Sequence, residues 1–240
     1  MKITALTLLI IIFGSSMKCQ QSNKPDLLLQ YKIRQPKVQT NKAPLLLLLH
    51  GYGSNESDLF SLADQLPDSF MIVSARAPYT LTLNSYAWFD ITFAGGKPVN
   101  SNKEQAEKSR NTIIQFIDQL KQQYAFDTTQ IYVSGFSQGG IMSYSVGLTR
   151  PDKIKGIAVM SGRLLNEVKP LIVQNDKLKQ LNVFVSHGTN DNVIGIQYAR
   201  ESVAYLEQLG LKPVFKEYPA GHSITPEMLR DLNAWFKKVK

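Results

Sequence analysis

Two kinds of apolar pattern alternate along the chain. Pro44 to Leu49 is apolar at every position and leads into His50. Strict alternation would mark a strand wet on one face, whereas an unbroken run marks one covered on both. Further runs of strand length are Leu27–Ile33, Phe70–Ser74, Gln130–Ser134, Ile154–Met160, Asn182–Ser186 and Pro213–Tyr218. Between them the period lengthens. Ala106, Ile113, Phe116, Ile117, Leu120 and Tyr124 recur at helical spacings, as do Ile196, Ala199, Val203 and Leu206. Thr225-Pro226-Glu227 is a helix start, with a capping hydroxyl, proline at the first position and an early acid. Leu229, Leu232, Trp235, Phe236 and Val239 then supply that helix's buried face. Strands alternating with helices predict βαβ units. The expected fold class is α/β, with a mainly parallel central sheet, helices on both faces, and one domain over about residues 20–240.

Residues 75–102 break the rhythm. They show no clear period, contain Pro78, Gly95, Gly96 and Pro98, and exceed the ~12–15 residues at which structureless loops become uncommon. Because Trp88 and Phe89 lie here, the reading is an ordered segment packed over a site.

Residues 1–19 read as an export signal rather than as fold. Met1-Lys2 precedes an apolar run, Ile3 to Phe13, that is too short to span a bilayer, and Gly14-Ser15-Ser16 supplies small residues for cleavage. Cleavage near Ser16 would release a soluble exported protein. Cys19 offers the alternative of lipid attachment, although Lys18 stands where a lipoprotein box has a small residue. The expected location is the periplasm or cell envelope, with Cys19 as the one route to a membrane anchor.

Composition removes several function classes. Apolar residues make up 43% and charged residues 19%, enough for a large core. A single cysteine excludes an internal disulfide, and with three histidines it leaves no zinc-finger spacing; no metal site is expected. The net charge of +8 is spread through every segment without a run of five basic residues, so it reads as surface solvation rather than as a nucleic-acid site.

The chemistry concentrates at the strand Gln130–Ser134, which runs into Gly135-Phe136-Ser137-Gln138-Gly139-Gly140 and then a helical Ile141–Leu148. This is G-x-S-x-G in the strand–turn–helix context it requires. A serine alcohol is a weak nucleophile and needs a base. Of His50, His187 and His222, the last follows the final strand and precedes the final helix, beyond the carboxyl end of the sheet where sites in open α/β folds lie. Asp191, in His187-Gly188-Thr189-Asn190-Asp191, is placed to fix the imidazole. The chain order Ser137, Asp191, His222 is that of an α/β-hydrolase. His50-Gly51-Tyr52-Gly53 follows the fully apolar strand. The backbone N–H groups of Tyr52 and Gln138 are assigned to an oxyanion hole, with His50 as loop organiser and His187 as a structural residue.

Taken together, Leu47-Leu48-Leu49-His50-Gly51-Tyr52-Gly53, Ala87-Trp88-Phe89-Asp90-Ile91, Gly135-Phe136-Ser137-Gln138-Gly139-Gly140, His187-Gly188 with Asp191, and Gly221-His222 resemble the phospholipase/carboxylesterase family, the α/β-hydrolases that include acyl-protein thioesterases. The resemblance covers about residues 27–238. It implies a cofactor-free hydrolase of carboxylic esters, sometimes thioesters, acting on a small-molecule ester, with Ser137, Asp191 and His222 as the triad. Trp88 and Phe89 are expected to line the acyl site. Tyr52 stands where many relatives carry leucine. Three alternatives stay open: feruloyl or acetyl esters of polysaccharide, a peptide bond, and a hydrolase fold reused as a non-catalytic binding protein. Acyl length and oligomeric state are not legible.

Overall fold

The computed structural model describes residues 27–38, 42–94 and 97–239. The elements run β1 (Tyr31–Arg34), β2 (Pro44–Leu49), α1 (Glu56–Phe60), β3 (Met71–Ala75), β4 (Tyr79–Thr82), β5 (Ser85–Ala87), β6 (Ile91–Ala94), β7 (Lys97–Ser101), α2 (Lys103–Gln123), β8 (Asp127–Phe136), α3 (Gln138–Thr149), β9 (Gly156–Met160), α4 (Asp176–Lys179), β10 (Asn182–Gly188), α5 (Ile196–Gln208), β11 (Val214–Tyr218) and α6 (Pro226–Val239). Seven strands form one sheet in the order β1-β3-β2-β8-β9-β10-β11. The edge strand β1 is antiparallel to β3, and every other pairing is parallel.

The all-leucine strand β2 shows why the sheet is covered twice. Leu45, Leu47 and Leu49 join Val73, Val133, Ile157, Val159 and Val185 beneath α2, α3 and α5. Leu46 and Leu48 point the other way, with Ile72, Tyr132 and Phe184, toward α1 and the Leu229, Leu232, Trp235 and Phe236 face of α6. Successive side chains alternate faces, so a strand buried on both must be apolar throughout. Helix α3 is buried along its whole length. It has no polar stripe because it has no solvent face, as expected of a helix sunk behind the central strands.

Two expectations change. The strand read as Leu27–Ile33 pairs only over Tyr31–Arg34, because its partner β3 begins at Met71 and ends at Ala75. The described residues of 75–102 form two small hairpins, β4–β5 and β6–β7. Their alternation is hidden because each contains a register irregularity, at Thr80/Thr82 and at Thr92/Phe93. The segment read as an export signal, Cys19 included, lies outside the described residues. Among the described residues no helix is long and apolar enough to cross a membrane.

Candidate active site

Strand β8 ends at Phe136 and helix α3 begins at Gln138, which leaves Ser137 alone to turn the chain. It does so at φ 54° and ψ −116°. Positive φ is strained for a residue with a side chain and persists only where the surroundings hold it. Here the Ser137 N–H donates to the Met160 carbonyl at 2.9 Å, and the Ser137 carbonyl accepts the first helical bond from Ile141 N–H at 3.1 Å. The flanking glycines are a demand for space. A Cβ at Gly139 would lie 1.8 Å from the Leu49 carbonyl oxygen, and one at Gly135 would lie 2.2 Å from the Gly139 backbone. Only bare backbone lets strand, turn and helix close this tightly around the serine.

The strand end of β10 and the loop after β11 bring two distant residues to the same place. Gly188 is needed there too, since a Cβ on it would meet the Ala220 carbonyl oxygen at 2.2 Å. Thr189 N–H to Tyr218 carbonyl (2.7 Å) and Asn190 N–H to Ala220 carbonyl (3.0 Å) stitch the loops together. His222 Nε2 then lies 2.9 Å from Ser137 Oγ, and His222 Nδ1 lies 2.7 Å from Asp191 Oδ2. The carboxylate only accepts, so Nδ1 carries the proton and the Nε2 lone pair faces the serine hydroxyl. Asp191 is locked in turn, because its Oδ1 accepts the N–H groups of Val193 and Ile194, each at 2.9 Å. Its side chain has no exposed surface, whereas that of His222 is 15% exposed. The imidazole is reachable from outside and the carboxylate that holds it is not.

The other histidines are buried scaffolding. His187 Nε2–H donates to the Ile194 carbonyl at 2.6 Å and sits 3.2 Å from Asp191 Oδ2. Asp191 thus lies between two imidazoles, and burial pushes the pKa of His187 down and keeps that ring neutral. His50 donates from Nδ1 to the Gly51 carbonyl (2.7 Å) and accepts the Ala77 N–H at Nε2 (3.0 Å). With both nitrogens used this way the ring is neutral, and burial lowers its pKa as well. The carbonyl of His50 accepts the Trp88 indole N–H at 3.0 Å. These bonds hold the Gly51–Gly53 turn against Ser137, since a Cβ on Gly51 would touch the Ser137 Cβ at 3.5 Å. The Tyr52 and Gln138 amides therefore belong to the two segments that flank Ser137.

Trp88 and Phe89 are a correction. Neither side chain has any exposed surface, and both belong to the core beneath α2 and α3. Burying their large apolar area stabilises the fold, and no face is left over for an acyl chain. Their backbone carries a contact that sequence reasoning missed. The side chain of Gln138 accepts the Trp88 N–H at Oε1 (2.8 Å) and donates from Nε2 to the Phe89 carbonyl (2.6 Å). The pairing spans about fifty residues, so no local pattern could have announced it. Asp90 accepts from the Gln105 amide at 2.9 Å.

An alcohol aimed at an imidazole that is aimed at a buried carboxylate can attack a carbonyl carbon. Comparison with known proteins agrees with that chemistry. The family model described as Phospholipase/Carboxylesterase matches residues 31–240. The chain belongs to the phospholipase/carboxylesterase family. It is 31% identical to acyl-protein thioesterase 1 of Mycosarcoma maydis over 226 residues, covering 85% of this chain and 94% of that protein. It is 27% identical to carboxylesterase SOBER1 of Arabidopsis thaliana over 209 residues, covering 80% of this chain and 89% of that one. Among solved structures, esterase PE8 superimposes with a TM-score of 0.75 at 25% identity, over 88% of this chain and 99% of that one. The fold of the Bacillus cereus carboxylesterase matches with a TM-score of 0.76 at 23% identity, over 88% and 95% of the two chains.

Proposed function

We propose that this family member is a serine carboxylesterase, acting on carboxylic esters and on thioesters, and that its acyl-enzyme forms on Ser137. The observation that carries the reading is the pair of short contacts from His222, to Ser137 Oγ at 2.9 Å and to Asp191 Oδ2 at 2.7 Å. The relatives named as thioesterase and carboxylesterase support the same bond class. His222 takes the hydroxyl proton as Oγ attacks the ester carbonyl, and Asp191 stabilises the imidazolium. The tetrahedral oxyanion is received by the Tyr52 and Gln138 amides, each such donor being worth about 3–4 kcal/mol in the transition state. His222 then protonates the leaving alcohol or thiol, and water returns the acid by the same path. Ser137→Ala is expected to abolish turnover of 4-nitrophenyl butyrate and labelling by a fluorophosphonate, with the circular dichroism spectrum unchanged. Retained turnover would remove Ser137 from the mechanism.

The reading extends to where the enzyme works. The basic start, the apolar run and the small residues of segment 1–19 support export to the cell envelope. The intact mass of the mature protein checks this: loss of about the first 16–19 residues supports cleavage, an added lipid on Cys19 supports anchoring, and a full-length cytoplasmic chain refutes export.

A further inference from the structure

A cavity of ≈ 530 Å³ borders the loop that carries Asp191, and its wall includes Asn100, Ser101, Arg163, Asn192, Gln197 and Tyr198. Two charged residues contribute to it, and they are not equivalent. The Asp191 carboxylate shows no surface and is occupied by His222 and two backbone amides. Arg163 is half-buried, and its guanidinium makes no hydrogen bond or ion pair with any described residue; it lies over the Tyr198 ring, 5.4 Å from the ring centroid. The carboxylate of Glu167 feels the arginine's charge but is held by Lys103 at 2.8 Å. The accessible charge in the cavity wall is therefore the arginine's, a fork of five N–H donors with neutral amides and hydroxyls around it.

The backbone fixes this arginine relative to the nucleophile. The Met160 carbonyl accepts the Ser137 N–H, and the chain then bends sharply at Ser161 (φ 49°). Ser161 N–H is held by the Ser186 carbonyl at 2.9 Å, and Leu164 N–H by Ser202 Oγ at 3.0 Å. Gly162 packs on the first turn of α3, where a Cβ on Gly140 would come 3.3 Å from its Cα. Arg163 thus follows directly on Gly162, whose backbone packs on the helix that Ser137 starts, with both ends of the turn tied down.

We infer that Arg163 determines specificity for esters that carry an anionic group, a carboxylate above all, on the acyl chain or on the leaving alcohol. The inference rests on the esterase reading. A guanidinium grips a carboxylate with two parallel N–H···O bonds, and Asn192, Gln197 and Tyr198 complete a polar seat. Attack still occurs at the ester carbonyl, and the remote anion lowers the transition state only if it stays bound as the oxyanion forms.

Two matched substrate pairs test it: 4-nitrophenyl hydrogen adipate against 4-nitrophenyl hexanoate, and 3-acetoxybenzoate against 3-tolyl acetate. The quantity read is the ratio of kcat/KM, anionic over neutral, in the wild type, Arg163→Gln and Arg163→Lys, with fluorophosphonate labelling to confirm an assembled site in each. In at least one pair the ratio is expected to fall about tenfold in Arg163→Gln and less in Arg163→Lys, as loss of a bidentate contact predicts. Raising the salt should shrink the wild-type ratio and leave that of Arg163→Gln unmoved, because screening acts only where the charge acts. Which pair responds tells which side of the ester carries the anion. A wild type active on the neutral esters with neither ratio moved by Arg163→Gln overturns this inference alone. A wild type inactive on all four substrates overturns the esterase reading and this inference with it.

Discussion

The Gln138 side chain does for Trp88 and Phe89 what a neighbouring strand would do, closing one donor and one acceptor in a buried place. Gln138→Leu leaves the Trp88 N–H and the Phe89 carbonyl without partners. Two orphaned buried groups predict a loss of about 2–4 kcal/mol in unfolding free energy, read from urea titration. The same residue supplies the first amide of α3, so a loosened side chain should lower kcat more than it raises KM. An unchanged urea midpoint would refute the clamp. At this scale the sequence was informative wherever chemistry demands a residue type. The meeting of Ser137, Asp191 and His222 could be expected because few residue types can attack, orient or accept a proton, and their order is distinctive. Trp88 and Phe89 were misread as pocket walls because an aromatic looks the same in a string whether it faces a cleft or a core.

At the scale of elements, legibility followed burial. β2, β3, β9 and β10 are buried almost throughout, and their largely apolar runs placed them within a residue or two. The strand read as Gln130–Ser134 extends from Asp127 to Phe136, because its first residues pair outside the apolar run and across a register shift between Pro44 and Leu45. Helix α3 was recognised through its turn rather than its period, since a wholly buried helix has no amphipathic signal to read. The short α1 and α4 were given no bounds. Each is a single turn or so, started by an asparagine cap, Asn55 on Ser57 N–H and Asn175 on Leu178 N–H, and carries too few residues to show a repeat.

For the molecule as a whole, the buried neutral histidines set a stability that depends on pH. His50 and His187 have folded pKa values pushed below the ordinary value by burial. The unfolded chain binds those protons near pH 6.5 and the folded chain does not until lower pH, so stability is fully present above about 6.5 and is lost as pH falls. Each histidine contributes at most about 1.4 kcal/mol per pH unit within its window. The Glu56 carboxylate, gripped by Arg76 Nε and Nη2 at 2.6 Å, has its pKa lowered by that hydrogen bonding. Its contribution is present above about pH 4.3 and disappears further down. Urea midpoints should be flat from pH 8 to about 7 and decline from about 6.5 toward 5. A profile flat to pH 4.5 would exclude the histidine contribution.

The spread of the site along the chain has a further consequence. Ser137 follows β8, Asp191 follows β10, and His222 follows β11, the last strand in the chain. Turnover can begin only after a ribosome has delivered nearly the whole polypeptide and its final parallel strand has docked. In a refolding experiment, ester cleavage should therefore not recover ahead of the far-ultraviolet signal, since all three strand ends must be in place. A chain released short of residue 222 would lack both that imidazole and the apolar face of α6, leaving Leu46, Leu48 and Phe184 uncovered.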